Sequence, residues 1–294
     1  LSLSLSLSLS LSLSLSLSLS LSGIMNFASC LAVLSWMLAK RGSAQLLDQN
    51  CAEVSRLSND IIFSRPWMAL VLLPNKTCSG ALIHKYFVIT SASCVFNQER
   101  AIVRLGQLSI KQEHIVSYSS DDYHVQSAYI HRFYEKSNFE HDIALLELQN
   151  DVLYKAHIRP ICLWLDKSDI DTQMFKRYET FRWGIDEKYI LPAAKTSKIK
   201  HISQVKCENA FKLYPQNSHI CAGYKNKSKC VETGSPLFKK IRYYTKIRYT
   251  LFGIQSYGES RTCLYTDVTK YIDWIMGVIQ NVNVIVSNGE NSYA

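Results

Sequence analysis

With 294 residues, 47% of them hydrophobic, the chain can bury a large core, which excludes an intrinsically disordered protein. Its formal net charge of +9 favours anionic partners such as sulfated glycans, microbial surfaces or acidic protein surfaces. Nucleic acid is not predicted as a partner, because the sequence has no recognised nucleic-acid-binding module.

Residues 1–22 are a strict alternation of Leu and Ser. The alternation has the period of a β-strand but contains no turn and no charge. We interpret it as a low-complexity repeat. The alternative is an aggregation-prone strand whose leucine face pairs between chains.

Residues 25–44 resemble a secretory signal peptide. The run Met25 to Leu38 is apolar, and small residues near Ala44 offer a cleavage site, although Lys40 and Arg41 follow the apolar run instead of preceding it. The run is shorter than the roughly 20 residues that span a bilayer, and the alternative is a buried or interfacial helix. We therefore predict a secreted, extracellular protein without a membrane span in its mature form.

The cysteine pattern is typical of an oxidising compartment. Of nine cysteines, Cys30 lies in the predicted signal peptide, which leaves an even number for disulfides. A metal site is not predicted, because there is no Cys-x-x-Cys pair or histidine cluster, and no cofactor is expected. The sequons at Asn75 and Asn226 are candidate glycosylation sites.

Short runs rich in Val, Ile, Leu, Tyr and Thr predict a mostly β protein. The predicted strands are Met68 to Leu73, Lys85 to Thr90, Ala101 to Leu105, Ile143 to Leu148, Ile241 to Gln255 and Leu264 to Val268. Helical spacing of apolar residues predicts helices at Gln204 to Leu213 and at Val268 to Val282. Residues 283–294 form a polar tail that is expected to fray.

Several motifs in one order give the chain a resemblance to a known family. They are Pro66-Trp67-Met68-Ala69, Phe87 to Cys94, His141 to Leu146, Cys230 to Leu237, Ser256-Tyr257-Gly258 and Tyr271 to Ile275. In this order they resemble the chymotrypsin/trypsin-like serine proteases, from about Arg56 to about Ile279. In particular, the chain resembles the catalytically inactive, single-domain protease homologues of insects that have no clip domain.

The resemblance implies an all-β fold of two six-stranded antiparallel β-barrels with a C-terminal α-helix. The protease-like domain would comprise residues 57–282, preceded by a short propeptide-like segment at 45–56. The family's pairing implies the disulfides Cys78–Cys94, Cys51–Cys162, Cys207–Cys221 and Cys230–Cys263.

Three positions correspond to the family's catalytic triad. Ser93 stands where the family has its general-base histidine, Asp142 stands at the orienting carboxylate, and Thr233 stands at the nucleophile. A neutral hydroxyl cannot act as a general base near pH 7. We therefore expect Ser93 to donate a hydrogen bond to Asp142, which would then be a structural acid.

Other parts of the family's machinery also differ. Val231 and Thr233 occupy the positions of the oxyanion donors, in a loop with one residue fewer. Glu232 occupies the position of the acid that pairs with the family's new amino terminus, which begins Ile-Val-Gly-Gly after cleavage. The possible cleavage site here is Arg56, and Leu57-Ser58-Asn59-Asp60 follows it. The pocket positions are Ser228, Ser256 and Gly258, and Ser228 replaces the Asp of trypsin-like members.

These residues favour a secreted, non-catalytic homologue that acts by binding, as a cofactor or decoy in an extracellular proteolytic cascade, with a protease or an inhibitor as its partner. One alternative is an active serine-type endopeptidase that uses Thr233 and a relocated base among His84, His141 and His219. A second alternative is a glycan- or surface-binding module. It would depend on the basic residues Lys239, Lys240, Arg242, Lys246 and Arg248, or on the basic run Lys195 to Lys200, which equally suit a solvated hairpin.

Overall fold

The fold consists of two antiparallel β-barrels, seen in a computed structural model. The structure describes residues 46–53, 65–106, 120–165, 175–185, 192–212, 215, 217–225, 230 and 232–280. The Leu-Ser repeat, the predicted signal peptide and the polar tail lie outside these residues.

The first barrel closes through the strand order β1-β2-β3-β6-β5-β4. Its strands are β1 (Met68–Leu72), β2 (Thr77–His84), β3 (Phe87–Thr90), β4 (Ile102–Leu105), β5 (Asp121–Ile130) and β6 (Ala144–Leu148). The second barrel closes through the order β10-β11-β12-β9-β8-β7. Its strands are β7 (Arg177–Ile185), β8 (Pro192–His201), β9 (His219–Gly223), β10 (Pro236–Tyr243), β11 (Lys246–Glu259) and β12 (Thr262–Asp267). These are the two six-stranded barrels that the resemblance implied.

Helices are few in the part of the chain that the structure describes. They are α1 (Ala92–Val95), α2 (Gln204–Phe211), a 3-10 helix (Val268–Tyr271) and α3 (Ile272–Ile279). The predicted C-terminal helix is therefore present, but its first turn is a 3-10 helix. Within the described ranges, no helix is both long enough and apolar enough to cross a membrane.

The sequence prediction was wrong about the run from Ile241 to Gln255, which is two strands instead of one. Tyr243 pairs with Lys246, and the intervening Tyr244 has a φ of 51°. Such a two-residue hairpin usually contains Asn or Gly, so Tyr-Thr gave no turn signal. Strands β2, β5, β7, β8 and β9 were not predicted. Polar side chains interrupt the apolar pattern of β5, β7 and β8, so these runs did not resemble strands. Pairing with neighbouring strands stabilises them more than local propensity does.

A buried cation joins the two barrels near the start of the first. The Arg65 side chain is only 8% exposed, and its guanidinium lies 4.6 Å from the centroid of the Tyr249 ring and 5.1 Å from that of Phe238. Its Nη2 donates to Glu179 Oε2 at 2.6 Å. Because Arg65 precedes β1 and its partners lie on β7, β10 and β11, this cluster fixes one barrel against the other.

Four disulfides hold the described part of the chain together, and they have the pairings that the resemblance to the family implied. They are Cys51–Cys162, Cys78–Cys94, Cys207–Cys221 and Cys230–Cys263. Backbone hydrogen bonds also attach the segment around Cys51, because Ala52 N donates to the Pro160 carbonyl at 2.8 Å and Tyr249 N donates to the Ala52 carbonyl at 3.1 Å. On the other side of the disulfide, Leu47 N donates to the Leu163 carbonyl at 3.1 Å, so residues 46–53 are bonded to the domain both before and after Cys51.

Candidate functional site

The Asp142 carboxylate lies fully buried at the junction of the two barrels. Ser93 donates to it twice, from its backbone N to Oδ1 at 2.7 Å and from its Oγ to Oδ2 at 2.8 Å. Ser256 Oγ also donates to Oδ2, and the backbone N–H of Ala92 is a fourth donor. Burial raises the pKa of Asp142, and the hydrogen bonds from Ser256 and Ser93 oppose that rise. The hydrogen bond from Ser93 to Asp142 is the one expected from the sequence.

Strand pairing brings these groups together. Thr90 at the end of β3 pairs with Ala144 at the start of β6, so the residues that follow β3 and precede β6 are neighbours. Ser93 lies in α1, directly after β3, and Asp142 lies two residues before β6. Ser256 reaches the carboxylate from β11 of the second barrel. It was predicted as a pocket residue, but its hydroxyl is directed at Asp142.

Thr233 lies in the turn that precedes β10. Its carbonyl accepts from Ser79 N at 3.0 Å, and the next residue, Gly234, donates from its N to the Gln255 carbonyl at 2.8 Å. Gly234 has a φ of 85°, and a Cβ on it would lie 2.0 Å from the Ser79 carbonyl oxygen. The turn is therefore packed directly against β2, where only glycine fits.

Glu232 connects the same turn to the first barrel through its side chain. Ser79 Oγ donates to Glu232 Oε1 at 2.7 Å, and Glu232 has further contacts. Ser79 was not predicted as a site residue, because no local motif marks it. Its position directly after Cys78, which was predicted to pair with Cys94, was the available indication that Ser79 lies near Ser93.

Each of the three histidines considered as a relocated base has a partner elsewhere. His84 Nδ1 accepts from Tyr86 N at 3.4 Å, and His141 Nδ1 lies 3.0 Å from the Tyr271 hydroxyl. His219 Nε2 lies 3.1 Å from the Phe139 carbonyl oxygen. None of these three contacts is with Thr233.

His141 also stacks on His131, with ring centroids 4.7 Å apart. Burial, followed by the nearby His141 and Arg132, lowers the pKa of His131 to about 4. Because the folded protein disfavours protonation of His131, the unfolded chain binds more protons between about pH 6.5 and pH 4, and stability falls as the pH falls through this window.

We expect the His131→Phe variant, which keeps an aromatic ring beside Tyr271 and Trp274, to lose less thermal stability on acidification than the unmodified protein. The two melting temperatures, measured at constant ionic strength at steps between pH 7.5 and pH 4.5, should diverge below pH 6.5. Asp142 titrates in both proteins, so its effect cancels. If the melting temperatures of the two proteins fall in parallel as the pH is lowered, His131 is not the group that makes the protein sensitive to acid.

Several predicted site residues lie outside the described part of the chain, namely Arg56, Asn226, Ser228 and Val231.

The described neighbours of the predicted pocket are tightly packed. A Cβ on Gly258 would lie 2.2 Å from the Cβ of Cys230, so this glycine packs directly against the disulfide. Asn75 is exposed in the bend between β1 and β2, where an oligosaccharide can be accommodated.

The basic residues of the β10–β11 hairpin do not form one surface. Residues directly opposite in the register share a face, which places Lys239, Lys246 and Arg248 on one side and Lys240 and Arg242 on the other. Arg248 is buried, and its Nη1 donates to the Cys51 carbonyl at 2.7 Å. Lys246 Nζ pairs with Glu53 Oε2 at 2.8 Å. Because a strand alternates its side chains, the five residues lie on two faces, and a glycan-binding module that depends on them stays a prediction.

A cleft of about 340 Å³ opens directly beside Ser93. It is lined by Lys76, Ser93, Phe96, Asn97, Gln98, Tyr134, Lys136 and Phe139. Apart from Ser93, none of these residues was predicted to have a function, because they come from separate loops that only the folded barrel brings together.

Comparisons with known proteins agree with this geometry. The sequence model of the trypsin family, described as "Trypsin", matches residues 58–275. The chain is 28% identical to "Ovochymase" of Halocynthia roretzi over 82% of its own length and 16% of that protein. It is 27% identical to "Serine protease grass" of Drosophila melanogaster over 77% of its own length and 66% of that protein. The chain thus spans less than two thirds of either relative. A crystal structure of the Drosophila Grass clip serine protease of the Toll pathway superposes with a TM-score of 0.66 at 25% identity, covering 82% of this chain and 77% of that one.

Proposed function

The chain belongs to the trypsin family of serine proteases, and from this premise we propose that it is a secreted, non-catalytic member of the family that acts by binding another protein. The observation that carries the proposal is the contact between Ser93 and Asp142. In the family, an imidazole at this position accepts the proton of the nucleophile, and the carboxylate orients that imidazole. A serine hydroxyl that donates to Asp142 at 2.8 Å cannot accept that proton at neutral pH.

The turn around Thr233 supports the same proposal. A threonine hydroxyl becomes a nucleophile only beside a base, and the described histidines near the motifs have the other partners given above. Glu232, at the position of the acid that pairs with the family's new amino terminus, already accepts from Ser79 at 2.7 Å. This acid is thus bonded to the first barrel in the chain before any cleavage at Arg56.

The four disulfides support secretion, because such bonds persist in oxidising compartments. The similarity to Grass, whose crystal structure is described as that of a Toll pathway protease, supports a role in an extracellular proteolytic cascade. There the chain would act as a cofactor or a decoy for a protease or an inhibitor. A scaffold that retains the family's fold without its base suits such a role.

A peptide-library assay tests the absence of catalysis. The full-length secreted protein, intact and after limited cleavage at Arg56, is incubated with a diverse peptide mixture that is then analysed by mass spectrometry. We expect no cleavage product beyond those formed with the Thr233→Ala variant, which carries the same trace contaminants. Products that form with the unmodified chain and disappear with Thr233→Ala would establish the alternative, an active endopeptidase.

A further inference from the structure

The cleft beside Ser93 has a positive charge that no acidic lining residue balances. Lys76 Nζ donates to the Ser93 carbonyl at 3.1 Å, so its ammonium is held beside the residue that stands at the family's base position. Lys136 lines the cleft from the loop between β5 and β6. None of the eight described residues that line the cleft is acidic.

Nearby carboxylates do not neutralise the two lysines directly. Asp142 lies beneath Ser93, but it is fully buried, and hydrogen bonds from Ser93 and Ser256 occupy it. Glu135 accepts from Ser137 at 2.8 Å and from Asn138 at 2.9 Å. Burial and then the charge of Lys136 lower the pKa of Lys76, although Asp142 acts in the opposite sense. An anion placed between the two lysines would relieve this repulsion.

Aromatic rings form the other walls of the cleft. The rings of Phe96 and Tyr134 meet edge to face with centroids 5.6 Å apart, and Phe139 stacks on Tyr257 at 4.5 Å. Phe96 is 41% exposed, so an apolar side chain can still bury its surface there. A ligand that suits this cleft has an acidic group next to an apolar one.

We propose that the cleft binds an acidic side chain of an extended segment on a partner protein, with its carboxylate between Lys76 and Lys136 and a neighbouring apolar residue against Phe96. The inference rests on the proposed function, because a segment held beside Ser93 stays intact only if the chain does not hydrolyse it. A peptide fits better than a long anionic glycan, since the two lysines are accompanied by three aromatic walls.

A selection experiment identifies the preferred segment. Random heptapeptides displayed on phage are selected against the full secreted chain and, separately, against its Lys136→Gln variant. We expect the unmodified chain to enrich Asp or Glu at one position next to an apolar residue, and the variant to lose this enrichment. Selection without an acidic preference, or with the same preference on both proteins, would overturn the proposal.

Binding measurements then assign the contact. Fluorescence anisotropy of the most enriched peptide and of its counterpart with Gln in place of the acid is measured on the unmodified chain, Lys76→Gln, Lys136→Gln and Lys206→Gln. Lys206 is exposed on α2, outside the cleft, so its variant is a control with the same loss of charge. In each cleft variant, the affinity for the acidic peptide should fall about tenfold. The difference in affinity between the acidic peptide and the Gln peptide should become smaller. An equal loss with Lys206→Gln would show a general charge effect and reject the site.

Two further measurements distinguish peptide binding from glycan binding and from hydrolysis. Asn75 is a candidate glycosylation site next to Lys76, so the measurements are repeated on the Asn75→Gln variant, which cannot carry a glycan at this position. Affinity for a heparin oligosaccharide that depends on Lys76 and Lys136 while the acidic peptides do not bind would refute the peptide assignment. Hydrolysis of the bound peptide would reject the proposed function but leave the lysine contact standing, whereas an absence of acidic preference would reject this site alone.

Discussion

The Gly234→Ala variant is expected to lose at least about 4 kcal/mol of folding free energy, and with it most of its yield as folded protein. The added Cβ would lie 2.0 Å from the Ser79 carbonyl oxygen and 2.6 Å from Thr90 Oγ1. The Ser79 carbonyl is held in place because β2 pairs with both β1 and β3, and buried Thr90 Oγ1 donates to this carbonyl at 2.8 Å. Alanine would also have to adopt the φ of 85° that glycine has here, which is a strained conformation for any L side chain.

Thermal unfolding of the secreted protein measures this effect, and a drop of about 10 °C or more is expected if the variant folds at all. The matched control is Gly223→Ala. Its Cβ would meet the movable Ile202 side chain at 3.3 Å, so a small change in melting temperature is expected. Equal stability of Gly234→Ala and the unmodified protein would mean that the turn around Thr233 does not pack on β2 as described.

The Asp142→Ala variant is expected to lose about 3 to 5 kcal/mol, because it leaves buried donors without an acceptor. Ser93 contributes two of these donors, and Ser256 contributes another from the second barrel. Asn at position 142 retains one oxygen acceptor, so Asp142→Asn should be less destabilised than Asp142→Ala. The loss appears in stability because this carboxylate holds hydroxyls in place, with no imidazole to orient.

Chemical denaturation of the two variants measures the difference, and Asp122→Ala is the control. Asp122 also accepts two close hydrogen bonds, from Arg104 Nε at 2.6 Å and Arg104 Nη2 at 2.7 Å, but its side chain is 44% exposed. Removing it should cost no more than about 1 kcal/mol. A loss at Asp142 as small as the loss at Asp122 would contradict the structural role of the buried carboxylate.

The resemblance to the family was sufficient to predict the two barrels, and a serine at the position of the base was sufficient to predict the contact between Ser93 and Asp142. Both depended on motifs whose residues are adjacent in the chain, such as His141 to Leu146 for the start of β6. The bounds of the hairpin at Tyr244 could not be predicted, since a tyrosine at positive φ follows from the pairing of the strands and not from local preference.

The environment of the site was less predictable than its position. Ser79 contacts Glu232 across 153 residues of sequence, and nothing in the motif around Thr233 identifies that partner. The five basic residues of the hairpin looked like one cluster in the sequence, but strand register separates them onto two faces. In the same way, Lys76 and Lys136 become neighbours only because the loops after β1 and β5 meet beside Ser93.

The most direct test of the central claim is covalent labelling of the purified protein, cleaved at Arg56, with an organophosphonate probe that reacts with activated hydroxyl nucleophiles. Without a base beside Thr233, its hydroxyl should not react, and the intact mass should remain unchanged while an active trypsin-family protease in the same tube is fully labelled. Stoichiometric addition of one probe to Thr233, located by peptide mapping, would contradict the account and establish an active protease.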